Sequence, residues 1–365
     1  MSKRYPGGLI TKTPVVPTTS AAPGIWTLDQ AITYIRAGTW PVAPAPSAIA
    51  VAHLDSPYIS AYPWSAGFGT KYLDPSISPT GLGLGVAFNP AGTAIAVAHE
   101  NPPYISTYPW SAGFGTKYAD PTTLPTGQAQ SVAFNPAGTA IAVAHSTFPW
   151  ISTYPWSAGF GAKYADPATL PIGNGLGVSF NPAGTAIAVS SSSSPYISTY
   201  PWSAGFGTKY LDPSILPTGE ANGVAFNPAG TAIAVAHNTT PFISTYPWSA
   251  GFGTKYADPV TLPTGQGWSV AFNPAGTAIA VGHSVSPWIS TYPWSAGFGA
   301  KYADPATLPR TGYGVAFNAA GTAIAVAHPA SPYISAYPWS AGFGTRYANP
   351  STLPTNDAEG VAFLN

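Results

Sequence analysis

Two sets of ionisable residues recur at fixed spacing in this sequence. His53, His99, His145, His237, His283 and His328 each close a copy of one small-residue segment, and Ser191 takes the place in the remaining copy. Six histidines invite a metal-binding reading. Equivalent positions on separate copies stand too far apart for shared ligand bonds near ~2.1 Å, so a hydrogen-bonded strand-end role and no metal site are expected. Lys71, Lys117, Lys163, Lys209, Lys255 and Lys301 each precede an aspartate by three residues, with Arg346 and Asn349 in the last copy. Groups copied into every unit read as turn and surface structure, worth roughly 0–1 kcal/mol per exposed pair. The unique acids Asp55, Glu100, Glu220, Asp357 and Glu359 fall in connections between segments. No paired general acid and base stands out. The expectation is therefore no catalytic residue, no cofactor and no enzyme activity.

The elements that would position these groups come from a repeat. The string Tyr-Pro-Trp-Ser-Ala-Gly-Phe-Gly begins at Tyr62, Tyr108, Tyr154, Tyr200, Tyr246, Tyr292 and Tyr337, a spacing of 46 residues and 45 for the last. A second string, Val-Ala-Phe-Asn-Pro-Ala-Gly-Thr-Ala-Ile-Ala-Val-Ala-His, begins at Val86 and recurs with small changes. Each unit reads as four short strands, near residues 86–88, 94–98, 104–108 and 114–119. Asn89-Pro90-Ala91-Gly92 suits a type I turn, with Pro at the second position and Gly at the last. Asp120-Pro121 ends the fourth strand, since Pro cannot continue a ladder.

A lone sheet with apolar side chains on both faces cannot stand in water, and radial stacking buries both. The chain enters the pattern midway, at Ser47–His53, and leaves it midway, at Val361–Phe363. The sequence therefore predicts an all-β, seven-bladed β-propeller of four-stranded antiparallel blades, closed by pairing of the N- and C-terminal strands. It occupies residues 45–365, with a leader and one short helix over residues 1–44. Thr27 can cap that helix, with Gln30 three residues on.

Charged residues are only 7% of the chain and net charge is zero, so the basic footprint of a nucleic-acid partner is absent. No apolar run is long enough for membrane insertion, and the first residues lack the apolar stretch of a secretory signal. There is no cysteine, which excludes disulfides and thiolate metal sites.

Compared copy by copy, two connections vary and two do not. The variable ones emerge on one rim of an up-and-down blade, giving the ring one constant and one variable face. The variation is either loop drift or a recognition face. Such a face would present Gln128, Gln130, Glu220, Asn222, Trp268, Arg310 and Tyr313, beside Trp150 and Trp288 at the starts of third strands. Aromatic and amide groups suit sugars, and the same aromatics can pack blade against blade.

The Val-Ala-Phe-Asn-Pro-Ala-Gly unit followed by Ile-Ser-Thr-Tyr-Pro-Trp-Ser resembles a WD-repeat, with Trp-Ser in place of Trp-Asp. The hydrogen-bond network typical of that family is therefore not expected. The units also resemble repeat proteins of tailed-bacteriophage virions, and residues 7–41 are similar to virion leader segments. That resemblance implies a virion structural or adhesion protein. It would dock to phage structural proteins through residues 1–44 and present the variable rim to a host-surface glycan or a neighbouring subunit. A lectin-like carbohydrate-binding propeller is the alternative, and a protein-interaction scaffold the second.

Overall fold

The computed structural model describes residues 47–364. The expected leader, its helix and its docking role lie outside these residues. The described chain forms seven antiparallel sheets of three strands each. In the first complete unit the inner, middle and outer strands are Gly83–Phe88, Ala94–His99 and Ile105–Pro109. One blade is assembled from both ends of the chain. Its middle strand is Ala48–His53, its outer strand Ile59–Pro63 and its inner strand Ala358–Phe363. Val51 pairs with Val361 on one side and Ser60 on the other. Inner strands of successive blades touch in an unbroken cycle, and Ala358–Phe363 lies between Gly314–Phe317 and Gly83–Phe88. The ring is closed as the repeat predicts.

The expected fourth strand is a correction. After the outer strand, Ala112 (φ 53°) and Gly113 (φ 138°) turn the chain back. Beyond that turn the backbone makes only an isolated bridge between Trp110 and Phe114. Two further bonds tie it down, from Gly115 N–H to Pro109 O at 2.8 Å and from Tyr118 N–H to Thr107 O at 2.9 Å. Pro109 has no N–H to return the first bond, so no continuous ladder forms. This segment carries anchors instead. The Trp110 ring meets Phe114, Phe88 and Tyr72 of the preceding unit edge-to-face at 5.1–5.2 Å, a favoured aromatic geometry.

Blades interlock small against large. The alanine face of one middle strand (Ala94, Ala96, Ala98) packs on Ile141, Val143, Tyr154 and Trp156 of the next blade. The first hairpin is built around its asparagine. Gly92 N–H donates to Asn89 O at 2.9 Å with Gly92 at φ 66°, while Asn89 Oδ1 accepts from Thr93 and Ala94 N–H at 2.8 Å.

The histidines are fully buried, and His99 Nε2 lies 3.0 Å from Ser106 Oγ. The same His–Ser pair recurs in the five other histidine-bearing blades, as the strand-end reading expects. Burial pulls each histidine down to about 4. The lysines are less exposed than their repetition suggested. Lys117 is 10% exposed and Asp120 43%, so the ammonium is tucked in and the carboxylate caps it.

Candidate functional site

Seven inner strands leave a channel along the ring axis, and a repeated irregularity decides what lines its mouth. In the second blade His99 pairs with Gly83 and Ala98 with Gly85, which leaves Leu84 as the extra residue of a β-bulge. The same shift occurs at Gln130, Leu176, Asn222, Trp268 and Glu359. Tyr313 reaches the equivalent place directly before the strand Gly314–Phe317, with its N–H on Ala327 O at 3.0 Å. A bulge bends its strand and re-aims one side chain. Here the six bulged residues, together with Tyr313, bring seven side chains into one ring.

Below the ring, the channel narrows through Gly85, Ser131, Gly177, Gly223, Ser269, Gly314 and Gly360 to seven valines. The middle layer is small because neighbouring backbones meet there. A Cβ on Gly223 would lie 2.9 Å from Trp268 O, and one on Gly85 3.0 Å from Gln130 O. Where serine replaces glycine its hydroxyl ties blades together, Ser269 Oγ accepting from Val315 N–H at 3.2 Å. The cavity is about 190 Å³. That is below the roughly 300–1,000 Å³ of drug-sized sites, and it suits a single-ring ligand with a polar edge toward the mouth and an apolar floor.

Within the ring, Trp268 and Tyr313 meet edge-to-face at 5.6 Å. Asn222 Nδ2 donates to Gly267 O of the next blade at 2.8 Å, which fixes the amide. Glu359 sits beside Tyr313 in ring order. Burial pushes its carboxyl up to about 7, and the neighbouring Asp357 adds to the rise. The Tyr313 phenol is raised by burial and then by Glu359 and Asp357. An acid poised near neutrality at a concave mouth marks a candidate proton-transfer group.

Of the residues expected on a recognition face, Gln130, Asn222, Trp268 and Tyr313 are brought together in this ring. The others stand apart from it. Gln128 gives its carbonyl to Ser146 N–H at 2.9 Å, and Glu220 Oε2 accepts from Asn238 Nδ2 at 3.3 Å. Arg310 lies 5.7 Å over the Trp288 ring, and Trp150 stacks edge-to-face on Phe148 at 5.3 Å. Trp150 and Trp288 have φ of 67° and 66°, in the left-handed region.

Sequence reasoning missed Glu359, Leu84 and Leu176. Glu359 is on an innermost strand, where no acid was expected. The signal was present. Counting two residues back from the valine of each Val-Ala-Phe unit, and of its variant Val178-Ser179-Phe180, gives all seven ring members.

Among the described residues no group of three or more His, Asp or Glu could hold a metal ion. No described helix is long and apolar enough to cross a membrane.

No family model and no curated protein matches this chain. Solved structures do. The chain is similar to the periplasmic gluconolactonase of Pseudomonas aeruginosa at 13% identity and TM-score 0.68, over 87% of this chain and 99% of that one. A Bacteroides uniformis protein, provisionally described as a 6-phosphogluconolactonase, matches at 15% identity and TM-score 0.66, over 87% and 99%. A β-propeller domain from Myceliophteria thermophila matches at 12% identity and TM-score 0.54, over 74% and 88%. At such identities the likeness is one of fold.

These matches correct the phage reading. The solved structures that this chain follows nearly end to end include propellers described as lactonases. The expectations of a virion or host-adhesion protein, of phage partners through residues 1–44, of a virion location and of a non-enzymatic chain are overturned with it. The misleading signal was the repeat itself. Identical blade scaffolding dominates the sequence, and the seven positions that differ around the axis are a small minority.

Proposed function

We propose that this protein hydrolyses a sugar lactone at the channel mouth, with Glu359 as the general base. The observation that carries the reading is the Glu359 carboxyl, raised to about 7 inside a ring of Tyr313, Trp268, Asn222 and Gln130. The lactonase descriptions of the structures with this fold support it.

In the proposed reaction a water molecule attacks the lactone carbonyl carbon while Glu359 takes its proton. The carbonyl oxygen gathers negative charge, which the Gln130 amide and the Tyr313 hydroxyl can stabilise as donors. The bond from the carbonyl carbon to the ring oxygen then breaks. Glu359 returns the proton to that oxygen, giving the open hydroxy acid. A base poised near the working pH serves both steps, and such groups contribute typically 10²–10⁴-fold. The faces of Trp268 and Tyr313 suit the C–H face of a sugar ring, and the amides suit its hydroxyls.

The test is the rate of acid release from glucono-1,5-lactone above the spontaneous rate. Acceleration lost in Glu359→Gln is expected. A parent protein that leaves the spontaneous rate unchanged overturns hydrolysis. One observation favours a second reading. The aromatic pair and two amides serve sugar binding without turnover, as in a lectin-like propeller. Tight binding of gluconolactam, a stable lactone isostere, by a protein with no hydrolysis would establish it.

A further inference from the structure

The charge of the mouth bears on which sugars it admits. Its polar ring members are Gln130, Asn222, Tyr313 and Glu359, with Trp268 and two leucines completing the circle. The charge within and beside it is acidic, from Glu359 and the nearby Asp357. None of the residues lining the cavity is cationic. The described cations are engaged elsewhere. Each described lysine is paired with the aspartate three residues on. Arg346 Nη1 reaches toward Ser335 Oγ at 3.5 Å. Arg310 is the cation on the variable rim, and it is stacked over Trp288. Its field acts on His328, while the influences raising Glu359 are burial and Asp357.

From this arrangement we infer that the mouth selects uncharged polyhydroxylated ligands and rejects their phosphorylated counterparts, with Glu359 and Asp357 as the discriminating charges. The inference rests on the sugar-lactone reading and adds a substrate class to it. A phosphate dianion entering the mouth meets like charge in a partly dehydrated site. At separations of several ångströms and an intermediate dielectric, that repulsion amounts to about a tenfold loss of affinity or more. An uncharged sugar can instead donate hydroxyl hydrogen bonds to the same carboxylates.

The experiment is calorimetric titration of the whole protein at pH 8 with gluconolactam and with gluconolactam 6-phosphate. The phosphorylated ligand is expected to bind about tenfold or more weakly. The gap should shrink severalfold in the double variant Asp357→Asn, Glu359→Gln, whose folding is checked by its melting temperature. Should that variant not fold, the parent protein answers the same question through salt, because screening at high ionic strength should narrow the gap. Equal or tighter binding of the phosphorylated ligand overturns the inference, as does a gap indifferent to both neutralisation and salt. Tighter binding abolished by Arg310→Ala would locate the anion site instead. Failure of both ligands to bind overturns the sugar reading itself, a result distinct from failure of the charge selection.

Discussion

Glu359 and the histidines are both removed from their ordinary titration ranges by burial, with opposite consequences. Glu359 is raised, so below pH 7 it is increasingly protonated and unable to act as a base. Hydrolysis should therefore rise with pH to half its plateau near pH 7. Glu359→Gln should lower kcat/KM by about 10²-fold or more, with gluconolactam binding largely retained. A pH–rate profile of parent and variant checks both. The buried histidines are lowered, to about 4 from 6.5. Well above pH 6.5 they are neutral in folded and unfolded chains alike. As pH falls from 6.5 towards 4, the unfolded chain takes up protons that the folded chain refuses, and stability is lost over that window. Near pH 5 each histidine contributes close to one proton to the difference. Urea midpoints measured from pH 7.5 to 4.5 should fall steeply. His99→Ser, which copies the natural Ser191, should reduce the slope by about one proton. An unchanged slope would mean that His99 is not held neutral.

At the scale of the element, the bulge links scaffold to chemistry. A regular inner strand would leave residue 359 in the ladder, whereas the bulge between its pairings to Ala52 and His53 frees it for the mouth. The strands, the Asn-Pro-Ala-Gly hairpin and the small-against-large interlock were legible because the repeat displays them seven times over. The bulges were not, since a single extra residue leaves no mark on alternation in a strand only six residues long. The missing fourth strand was misread for a related reason. The Trp-Ser-Ala-Gly-Phe-Gly string has strand-like aromatics, and its positive-φ positions and Pro109 decide against a ladder. The small layer of the channel makes its own prediction. Gly223→Ala would place a methyl 2.9 Å from Trp268 O, a backbone atom that cannot swing aside. Overpacking of this kind costs about 1–3 kcal/mol, visible as a lower melting temperature. The same change at the half-buried Gly251 meets no neighbouring atom but enters a positive-φ position, so its cost comes from backbone strain alone.

For the whole molecule, closure rests on one strand. Ala358–Phe363 completes the blade begun by Ala48–His53, and Phe363 packs edge-to-face on Trp64 at 5.1 Å. Leu364 N–H then donates to Ala48 O at 2.8 Å. Removing residues 360–365 leaves the middle strand Ala48–His53 with a free edge, a template for association. The truncated protein should melt earlier and self-associate, as read by calorimetry and light scattering. The same strand carries Glu359, so closing the ring and completing the mouth are one event. An opened ring should lose hydrolysis even if its blades persist. The closed ring was readable from the offset between the first and last repeats. The candidate site was not, because it is made of seven scattered positions that meet on one axis.

Whether Glu359 acts as a base at this mouth is decided by following acid release from glucono-1,5-lactone at pH 7.5 with parent protein, Glu359→Gln and no protein. The expected result is acceleration by the parent and a near-spontaneous rate with the variant. Equal acceleration by parent and variant would contradict that role.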